Sequence, residues 1–302
     1  MPPNLRPPLL RHLPLLRRLL AAAALAAALL PAAPATAASQ VRTAYGRPVP
    51  FGDGAAHTYV RLRGNEPVEI GVALTRGSLD DLPTEPNDGR HCFDRNADGT
   101  VDPVHECAGG HEYELALPRA LRDVPGVPLT FAMLDWDPAG HGPPHVYDRP
   151  HLDVHFYLQS DSERQAIRPG PCGALVDCTD YATATRPLPP EYLPADYVDK
   201  GIVQVAMGNH LTDPTSDEWH GHTFTRTFVY GTYDARITFL EPMITLDALK
   251  AAEGADPADA CRPIKQPQAW QVPGWYPQAY CLRHSPLSGE YTVSLEDFAR
   301  HS

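Results

Sequence analysis

The sequence predicts a mainly β fold, either an antiparallel sandwich or a cupin-like barrel, with long loops and few short helices. Short apolar segments with alternating polarity recur along the chain, which is typical of strands. The 34 Pro and 22 Gly among 302 residues supply many turns. Strands do not alternate with long helices, as they would around a parallel sheet. We expect one β-rich domain over residues 38–302, and we consider an N-terminal subdomain at 41–125.

The first half of the chain supplies strands separated by polar loops. A strand pair, 59–62 and 68–74, turns at Gly64-Asn65, and Ser78 begins a short helix at 78–81 that Pro83 ends. A polar loop follows to about residue 110. The next predicted strands are 112–117, 129–136 and 151–158.

The second half continues the pattern with two hairpins and one helix. A strand at 202–207 precedes a hairpin of 223–230 and 236–241, with its turn at 231–234. Residues 243–253 predict a helix that ends at Gly254. The last hairpin joins 280–284 to 290–295. The proline-rich run 186–194 is interpreted as a surface excursion, because candidate site residues lie on both sides of it.

The N-terminus predicts a signal peptide. Four Arg precede an apolar Ala/Leu-rich stretch at 19–30, and Ala35-Thr36-Ala37 is typical of a cleavage site. The apolar stretch is shorter than the ~20 residues of a spanning helix, so we expect no transmembrane anchor after cleavage. The sequence therefore predicts a protein that is secreted or lies in the periplasm or cell envelope.

The charge of the chain limits its partners. Removal of residues 1–37, which contain four Arg and no acidic residue, would take the formal net charge from −12 to −16. Such a charge argues against nucleic acid as a partner and favours cation binding. The sequence leaves a homo-oligomer open, and it does not identify a small-molecule ligand.

Six cysteines in the predicted mature chain favour disulfides, because exported chains oxidise. Each near-neighbour pair closes a short polar loop, and no C-x-x-C spacing suggests a zinc site. The predicted pairs are Cys92–Cys107, Cys172–Cys178 and Cys261–Cys281.

The octet 150–157 carries the strongest indication of a site. As a strand, it places Leu152, Val154 and Phe156 on one face and a polar row on the other. That row consists of His151, Asp153, His155 and Tyr157. Few structural roles require three potential metal ligands or proton carriers in succession.

Strand geometry limits which of these residues share an ion. Positions i and i+2 on one face lie ~6.6 Å apart and i and i+4 ~13 Å apart, so Asp153 and His155 can join one site. His210 follows an apolar run, and Glu241 lies on an apolar strand face where a carboxylate needs a partner. We predict the ligand set Asp153, His155, His210 and Glu241, with His141 and His151 in reserve. Mixed N/O ligation suits Zn, Mn, Fe or Cu. A metal-free hydrogen-bonded network is the alternative.

A second cation site is predicted in the loop 94–105. Oxygen-bearing side chains recur at the spacing of a calcium loop, with Gly99 at its sixth position. The predicted calcium ligands are Asp94, Asn96, Asp98 and Asp102. His105 occupies the twelfth position and Glu106 comes one residue late. The alternative is a hydrophilic turn.

Five motifs resemble an uncharacterised family of exported bacterial β-rich proteins. The resemblance covers roughly residues 41–298 and implies a β-rich exported domain of unknown function, without a reaction. The motifs are Asp135-Trp136-Asp137-Pro138-x-Gly140-His141, Val146-Tyr147-Asp148-x-Pro150-His151-x-Asp153-x-His155-Phe156-Tyr157, Met207-Gly208-x-His210, Phe228-Val229-Tyr230-Gly231-x-Tyr233 and Phe239-x-Glu241-Pro242-Met243-Ile244-Thr245. The chain departs from the family pattern at His220-Gly221-His222 and at Gly142.

Two functions remain open from the sequence. The first is a non-catalytic binding protein with an envelope or stress-related role, and the second is a cupin-like metal-dependent enzyme whose substrate is unknown. No nucleophile elbow, zinc-protease helix, phosphate loop or dinucleotide fingerprint is present. The sequence identifies no catalytic residue, and the binding role is preferred because no general base accompanies a recognisable substrate pocket.

Overall fold

The computed structural model describes residues 40–302, and the predicted signal peptide lies outside them. The described chain is mainly β. Its strands are β1 (Val41–Tyr45), β2 (Val49–Phe51), β3 (Gly54–Arg63), β4 (Glu66–Leu74), β5 (His91–Cys92), β6 (Cys107–Ala108), β7 (His111–Ala116), β8 (Phe131–Asp137), β9 (His151–Tyr157), β10 (Pro169–Cys172), β11 (Val198–Gln204), β12 (Gly208–Thr212), β13 (Arg226–Tyr233), β14 (Arg236–Thr245), β15 (Cys261–Pro263), β16 (Gly274–Tyr276), β17 (Ala279–Ser285), β18 (Glu290–Glu296) and β19 (Ala299–His301).

The helices are short. They are α1 (Arg119–Arg122), α2 (Asp161–Gln165), α3 (Cys178–Ala184) and α4 (Leu246–Ala251), with 3₁₀ turns at Pro190–Tyr192, Asp217–His220 and Pro257–Asp259. The second of these turns carries Trp219, and the first interrupts the proline-rich surface segment. No helix in residues 40–302 combines the length and apolar character needed to cross a bilayer.

Two seven-stranded antiparallel sheets form a sandwich. Sheet I has the order β1-β3-β4-β18-β17-β15, with β2 also paired to β3. Sheet II has the order β11-β12-β13-β14-β9-β8-β7. Both strand paths are open within the described residues, so the sandwich is the correct one of the two predicted architectures and the cupin-like barrel is wrong.

The core lies between the two sheets. Sheet I contributes residues such as Val60 and Ile70, and sheet II contributes Leu134, Val154 and Leu240, each at most 1% exposed. Burial of such a side chain contributes about 1.5–3 kcal/mol. The inward face of β9 is the apolar face that the sequence predicts, and its other face carries the polar row of His151, Asp153, His155 and Tyr157.

The hairpin of β13 and β14 turns later than predicted. Asp234 and Ala235 have φ values of 51° and 56°, and this pair of left-handed residues forms the two-residue turn. Gly231 instead lies within β13, where it pairs with both His210 and Phe239. A Cβ on Gly231 would lie 2.1 Å from the Phe239 ring, so close ring packing explains the glycine.

The predicted helix at 243–253 begins too early. Residues through Thr245 extend β14, because they pair with β13 on one side and β9 on the other. Thr245 then caps α4 by accepting a hydrogen bond from the Ala248 N–H at 3.1 Å. The β-branched Ile244 and Thr245 favour strands, so local propensity and tertiary pairing agree on the later start of the helix.

Two further local predictions are wrong. Residues 78–81 form a turn without a helix. The predicted strand at 202–207 ends at Gln204 as part of β11, because the chain turns at 205–207 and returns as β12, which carries His210. All three predicted disulfides, Cys92–Cys107, Cys172–Cys178 and Cys261–Cys281, are present.

Candidate metal centre

The outer face of sheet II carries the polar row of β9. In the pairing with β8, Asp137 lies opposite His151, Asp135 opposite Asp153, and Met133 opposite His155. Residues opposite one another in an antiparallel pair share a face, so these side chains line one surface. On the other side of β9, Met243 lies opposite Asp153 and Phe239 opposite Tyr157, which brings Glu241 level with His155.

This outer face is covered rather than open to solvent. All seven residues of β9 are buried. A second hydrophobic cluster, here called the outer cluster, packs there: Met133, Tyr147, Tyr157, Met207, Phe224, Val229, Phe239 and Met243. Tyr147, Met207 and Phe224 come from the connecting segments 138–150, 205–207 and 213–225, which therefore form the cover. The polar row consequently lies in a low-dielectric environment.

The potential ligands form two groups. Cluster 1 consists of Asp137, His141, His151 and Asp153, and cluster 2 of His155, His210 and Glu241. In each cluster, one ligand atom from every member lies within 4.8 Å of the others. Each cluster contains one half-buried histidine, His141 in the first and His210 in the second, while the remaining members are buried.

The structure regroups the predicted ligand set. His155, His210 and Glu241 come together as predicted, but Asp153 groups instead with the two reserve histidines. Asp137 was not among the predicted ligands. Its alternation with Asp135 gives its strand face, but only the pairing of β8 with β9 brings it opposite His151.

Hydrogen bonds fix the tautomers in cluster 1. The Nδ1 atom of His141 lies 2.8 Å from the Gly142 carbonyl, and the Nδ1 atom of His151 lies 2.6 Å from the Arg149 carbonyl. A carbonyl oxygen only accepts, so both Nδ1 atoms carry the proton. Both Nε2 atoms then point toward the carboxylate, an arrangement that metal-binding histidines share.

The Asp153 carboxylate lies between these two Nε2 atoms. Its Oδ2 is 3.1 Å from His141 Nε2, and its Oδ1 is 3.1 Å from His151 Nε2. The second contact lacks hydrogen-bond geometry, and both of its atoms are buried without a partner. Two ligands of one ion with bonds of ~2.1 Å lie about 3.0–3.4 Å apart, which matches this separation. Asp137 Oδ2 is also buried without a partner.

The polar atoms of cluster 2 have even fewer hydrogen-bond partners than those of cluster 1. Both ring nitrogens of His155 are buried without a hydrogen bond, as is Oε2 of Glu241. The closest polar contact between these residues, from His155 Nε2 to Glu241 Oε1, is 3.6 Å. His210 donates from Nδ1 to the Ile202 carbonyl at 3.1 Å, which leaves its Nε2 lone pair available.

In the metal-free state, the two clusters differ in the charge of their members. In cluster 1, burial alone would lower the pKa of His141, but the adjacent Asp153 carboxylate outweighs it and raises that pKa to about 10. Burial would likewise raise the pKa of Asp153, yet His151 and His141 hold it well below its usual range. Cluster 1 therefore holds a proton where a cation would bind.

In cluster 2, burial dominates. It lowers the pKa of His155 to about 3 and that of His210 to about 4. Burial and the nearby Asp153 charge raise the pKa of Glu241 well above its usual value. Without an ion, burial therefore favours the neutral form of each of these three groups.

An acidic row crosses three strands beside cluster 1. Glu112 on β7, Asp135 on β8 and Asp153 on β9 lie opposite one another, and all three are buried. Arg164, itself fully buried, lies 3.2 Å from Glu112. Burial, together with the charges of Asp137 and Glu112, raises the pKa of Asp135 well above its usual value. Side-by-side carboxylates of this kind require protons or cations.

The predicted calcium loop is organised by its own backbone. Asp94 accepts hydrogen bonds from the Asp98 and Gly99 N–H groups at 3.2 and 2.9 Å. Glu106 is buried and accepts from the N–H groups of Arg95, Asn96 and Asp102. Within the described chain, Asp94, Asp98 and Asp102 are not among the groups whose ligand atoms converge within 4.8 Å. Calcium binding there stays a prediction.

Other features lie apart from the two clusters. His220 and His222 are exposed, as the sequence predicts. A cavity of about 320 Å³ lies beside α4, and its lining includes Arg226, Ala252 and Leu282 but no member of either cluster. Comparison with known proteins finds no matching family, no matching curated protein and no matching solved structure.

Proposed function

We propose that this protein binds a divalent transition metal on the outer face of sheet II, with cluster 1 as the principal site. The observation that carries the proposal is the Asp153 carboxylate between two Nε2 atoms whose protons are fixed on the opposite side of each ring. Lone pairs that face a carboxylate repel it unless a proton or a metal cation lies between them. The four members of cluster 1 supply the two imidazoles and two carboxylates of a mixed N/O site.

A metal-free network is the main alternative, because a proton on His141 also satisfies Asp153. That explanation accounts for one contact only. His151 Nε2, Asp153 Oδ1 and Asp137 Oδ2 remain buried without hydrogen bonds, and each such group costs about 1–3 kcal/mol. One ion would satisfy all three atoms, so the metal is preferred. Zn, Mn, Fe and Cu all accept this ligand set.

A binding role is preferred to catalysis, and a metal-dependent enzyme with an unknown substrate is the second candidate. The feature that favours an enzyme is the half-buried histidine in each cluster, with 36% of the His141 side chain exposed. A ligand on the solvent side leaves room for water or substrate at the metal. Such an enzyme would use an open sandwich and not a cupin barrel.

We also infer export to the periplasm, cell envelope or medium, and membership of the β-rich family whose motifs the chain resembles. Three disulfides support an oxidising compartment. The motif residues Asp137, His141, His151 and Asp153 meet in cluster 1, which supports a common binding role for the motifs.

Elemental analysis tests the metal proposal. Protein purified from an oxidising compartment, without chelating resin, is expected to contain about one transition metal per chain. His151→Ala and Asp153→Ala should lose that metal, whereas His220→Ala and His222→Ala, which change exposed loop histidines, should keep it. Wild-type protein that remains metal-free after incubation with Zn(II), Mn(II), Fe(II) and Cu(II) would contradict the proposal.

A further inference from the structure

The methionines of the described chain all lie at the candidate metal centre. The chain has four methionines, and the three after Met1 are Met133, Met207 and Met243. All three belong to the outer cluster of eight buried residues. The main core cluster, with 34 buried residues, contains none. Methionine commonly fills gaps in cores, but gap filling alone does not explain its restriction to the smaller cluster.

Strand pairing places two of these methionines beside the ligand rows. Met133 on β8 lies directly opposite His155, and Met243 on β14 lies opposite Asp153, two residues from Glu241 on the same strand face. Directly opposed residues have Cβ atoms about 4.5–5.5 Å apart, and diagonal neighbours remain within reach of long side chains. The flexible thioether of either residue therefore has the reach to join a ligand set built on His155.

Met207 differs in one respect. Gln204 Nε2 lies 3.2 Å from its sulfur and donates a hydrogen bond to it. Its sulfur therefore already has a polar partner, although the side chain packs in the same outer cluster. Met207 thus provides an internal control for the other two methionines.

Ligand type discriminates among the candidate metals. Thioether sulfur is a soft ligand that selects Cu(I), whereas imidazole accepts copper in either oxidation state. The disulfides leave no free cysteine in the described chain, so methionine is its only source of soft sulfur apart from disulfide sulfur. A buried apolar setting also favours a singly charged ion over a doubly charged one.

We propose that cluster 2, extended by Met133 and Met243, is a Cu(I) site beside the divalent site of cluster 1. The ligands would be His155 and His210 with one or both thioethers, while Glu241 lies beside them. The inference rests on the proposed metal-binding function and specifies the ion that its second cluster takes. In this proposal, the methionines select the metal, a role that goes beyond ordinary core packing.

Cu(I) titration against a chromophoric chelator, under anaerobic conditions with ascorbate, tests the proposal. Met133→Leu and Met243→Leu should each weaken Cu(I) binding about tenfold or more while leaving Zn(II) affinity unchanged within about twofold. Met207→Leu, the same substitution in the same cluster, should leave Cu(I) affinity within about twofold of wild type. A thiol assay verifies that the disulfides remain intact, and near-UV circular dichroism verifies the fold.

X-ray absorption of the wild-type Cu(I) protein gives a readout that needs no variant. A sulfur scatterer on copper, with no free thiol, supports methionine ligation. A copper shell with only nitrogen and oxygen overturns it, as does equal Cu(I) affinity in all three Leu variants. If Zn(II) still binds in a His151-dependent manner, that result removes the copper inference alone. A wild-type protein that binds neither Zn(II) nor Cu(I) overturns both proposals.

Discussion

The two regions of this chain that resemble cation sites in sequence differ in how their oxygens and nitrogens are satisfied. In the loop 94–105, Asp94 and Asp98 accept hydrogen bonds from nearby backbone N–H groups, and the loop is mostly exposed. On the outer face of sheet II, His155 and Glu241 are buried with atoms that have no partner at all. A spacing of acidic residues is therefore weaker evidence for an ion than buried ligands that the protein does not satisfy itself.

Glu106 explains much of this difference. It is one residue too late to act as the twelfth ligand of a calcium loop, and its carboxylate accepts three backbone N–H groups instead. The loop thus has an internal anion that organises it. On the outer face, by contrast, the buried Arg164 is engaged by Glu112, Glu114 and Asp161.

Replacement of Asp153, the carboxylate between His141 and His151, should cause the largest loss of stability on the outer face of sheet II. Asp153→Asn deletes the negative charge between His141 and His151, and loss of one partner of a buried ion pair costs about 3–5 kcal/mol. Urea unfolding of the metal-free protein should show this loss, and metal affinity should fall as well. Asp148→Asn, at a half-exposed side chain in the same motif, should change stability by less than about 0.5 kcal/mol. Equal effects of the two variants would remove the distinction between them.

The pH dependence of metal-free stability should sharpen the comparison. The folded-state pKa of His141 is raised to about 10, so its contribution is complete below the unfolded value near 6.5 and is lost as pH rises through 10. The raised pKa values of Asp135 and Glu241 act with the same sign. Stability measured by urea unfolding should fall from neutral pH to pH 9.5, and His141→Gln should flatten that fall. A wild-type curve that rises with pH would contradict the charge arrangement.

A smaller effect is expected at Gly231. Its replacement by Ala would force the Phe239 ring away, and overpacking of this kind costs about 1–3 kcal/mol. Phe239 lies 4.9 Å from the His155 ring and 5.1 Å from the His210 ring between centroids, so Cu(I) affinity should fall while Zn(II) binding at cluster 1 persists. Gly142→Ala, where a Cβ would meet only a Pro144 carbon at 3.9 Å, is the control. Thermal unfolding and both titrations provide the measurement.

The smallest effect concerns the loop. If it binds calcium at about 1 mM, 10 mM calcium should stabilise the protein by about 1.4 kcal/mol. Asp94→Asn and Asp98→Asn should abolish that gain, and 10 times less calcium should give a correspondingly smaller one, about 0.4 kcal/mol. An unchanged melting temperature in 10 mM calcium would mean that Glu106 and the backbone alone organise the loop. The outer face of sheet II would then be the one of the two regions that binds a cation.

The sequence predicts the strands of the site better than it predicts the grouping of ligands. Alternation within β9 identifies its two faces because side-chain direction along one strand is a local property. Whether Asp153 joins His151 or His155 depends instead on the covering segment that delivers His141, which is a tertiary contact. Asp137 escaped prediction for the same reason, since only pairing between β8 and β9 brings it opposite His151.

The boundary between β14 and the following helix is also set by strand pairing. Met243, Ile244 and Thr245 read as the start of a helix, yet two neighbouring strands hold them in β14. The same pairing sets Met243 beside Asp153. A helix at 243–253 would not pair with β9, so the predicted helix gave no indication that Met243 lies beside the ligands of the proposed copper site.

The acidic row of Glu112, Asp135 and Asp153 has a consequence for how the chain acquires its structure. These three carboxylates are far apart in an unfolded chain and become neighbours only when β7, β8 and β9 pair. Because burial raises the pKa of Asp135, assembly of the sheet favours the protonated form of that carboxyl. His141, whose pKa rises to about 10, likewise holds a proton in the folded protein near neutral pH, and a metal bound at cluster 1 would release it. Under the proposed function, maturation of the protein would therefore exchange a hydrogen ion for a metal ion.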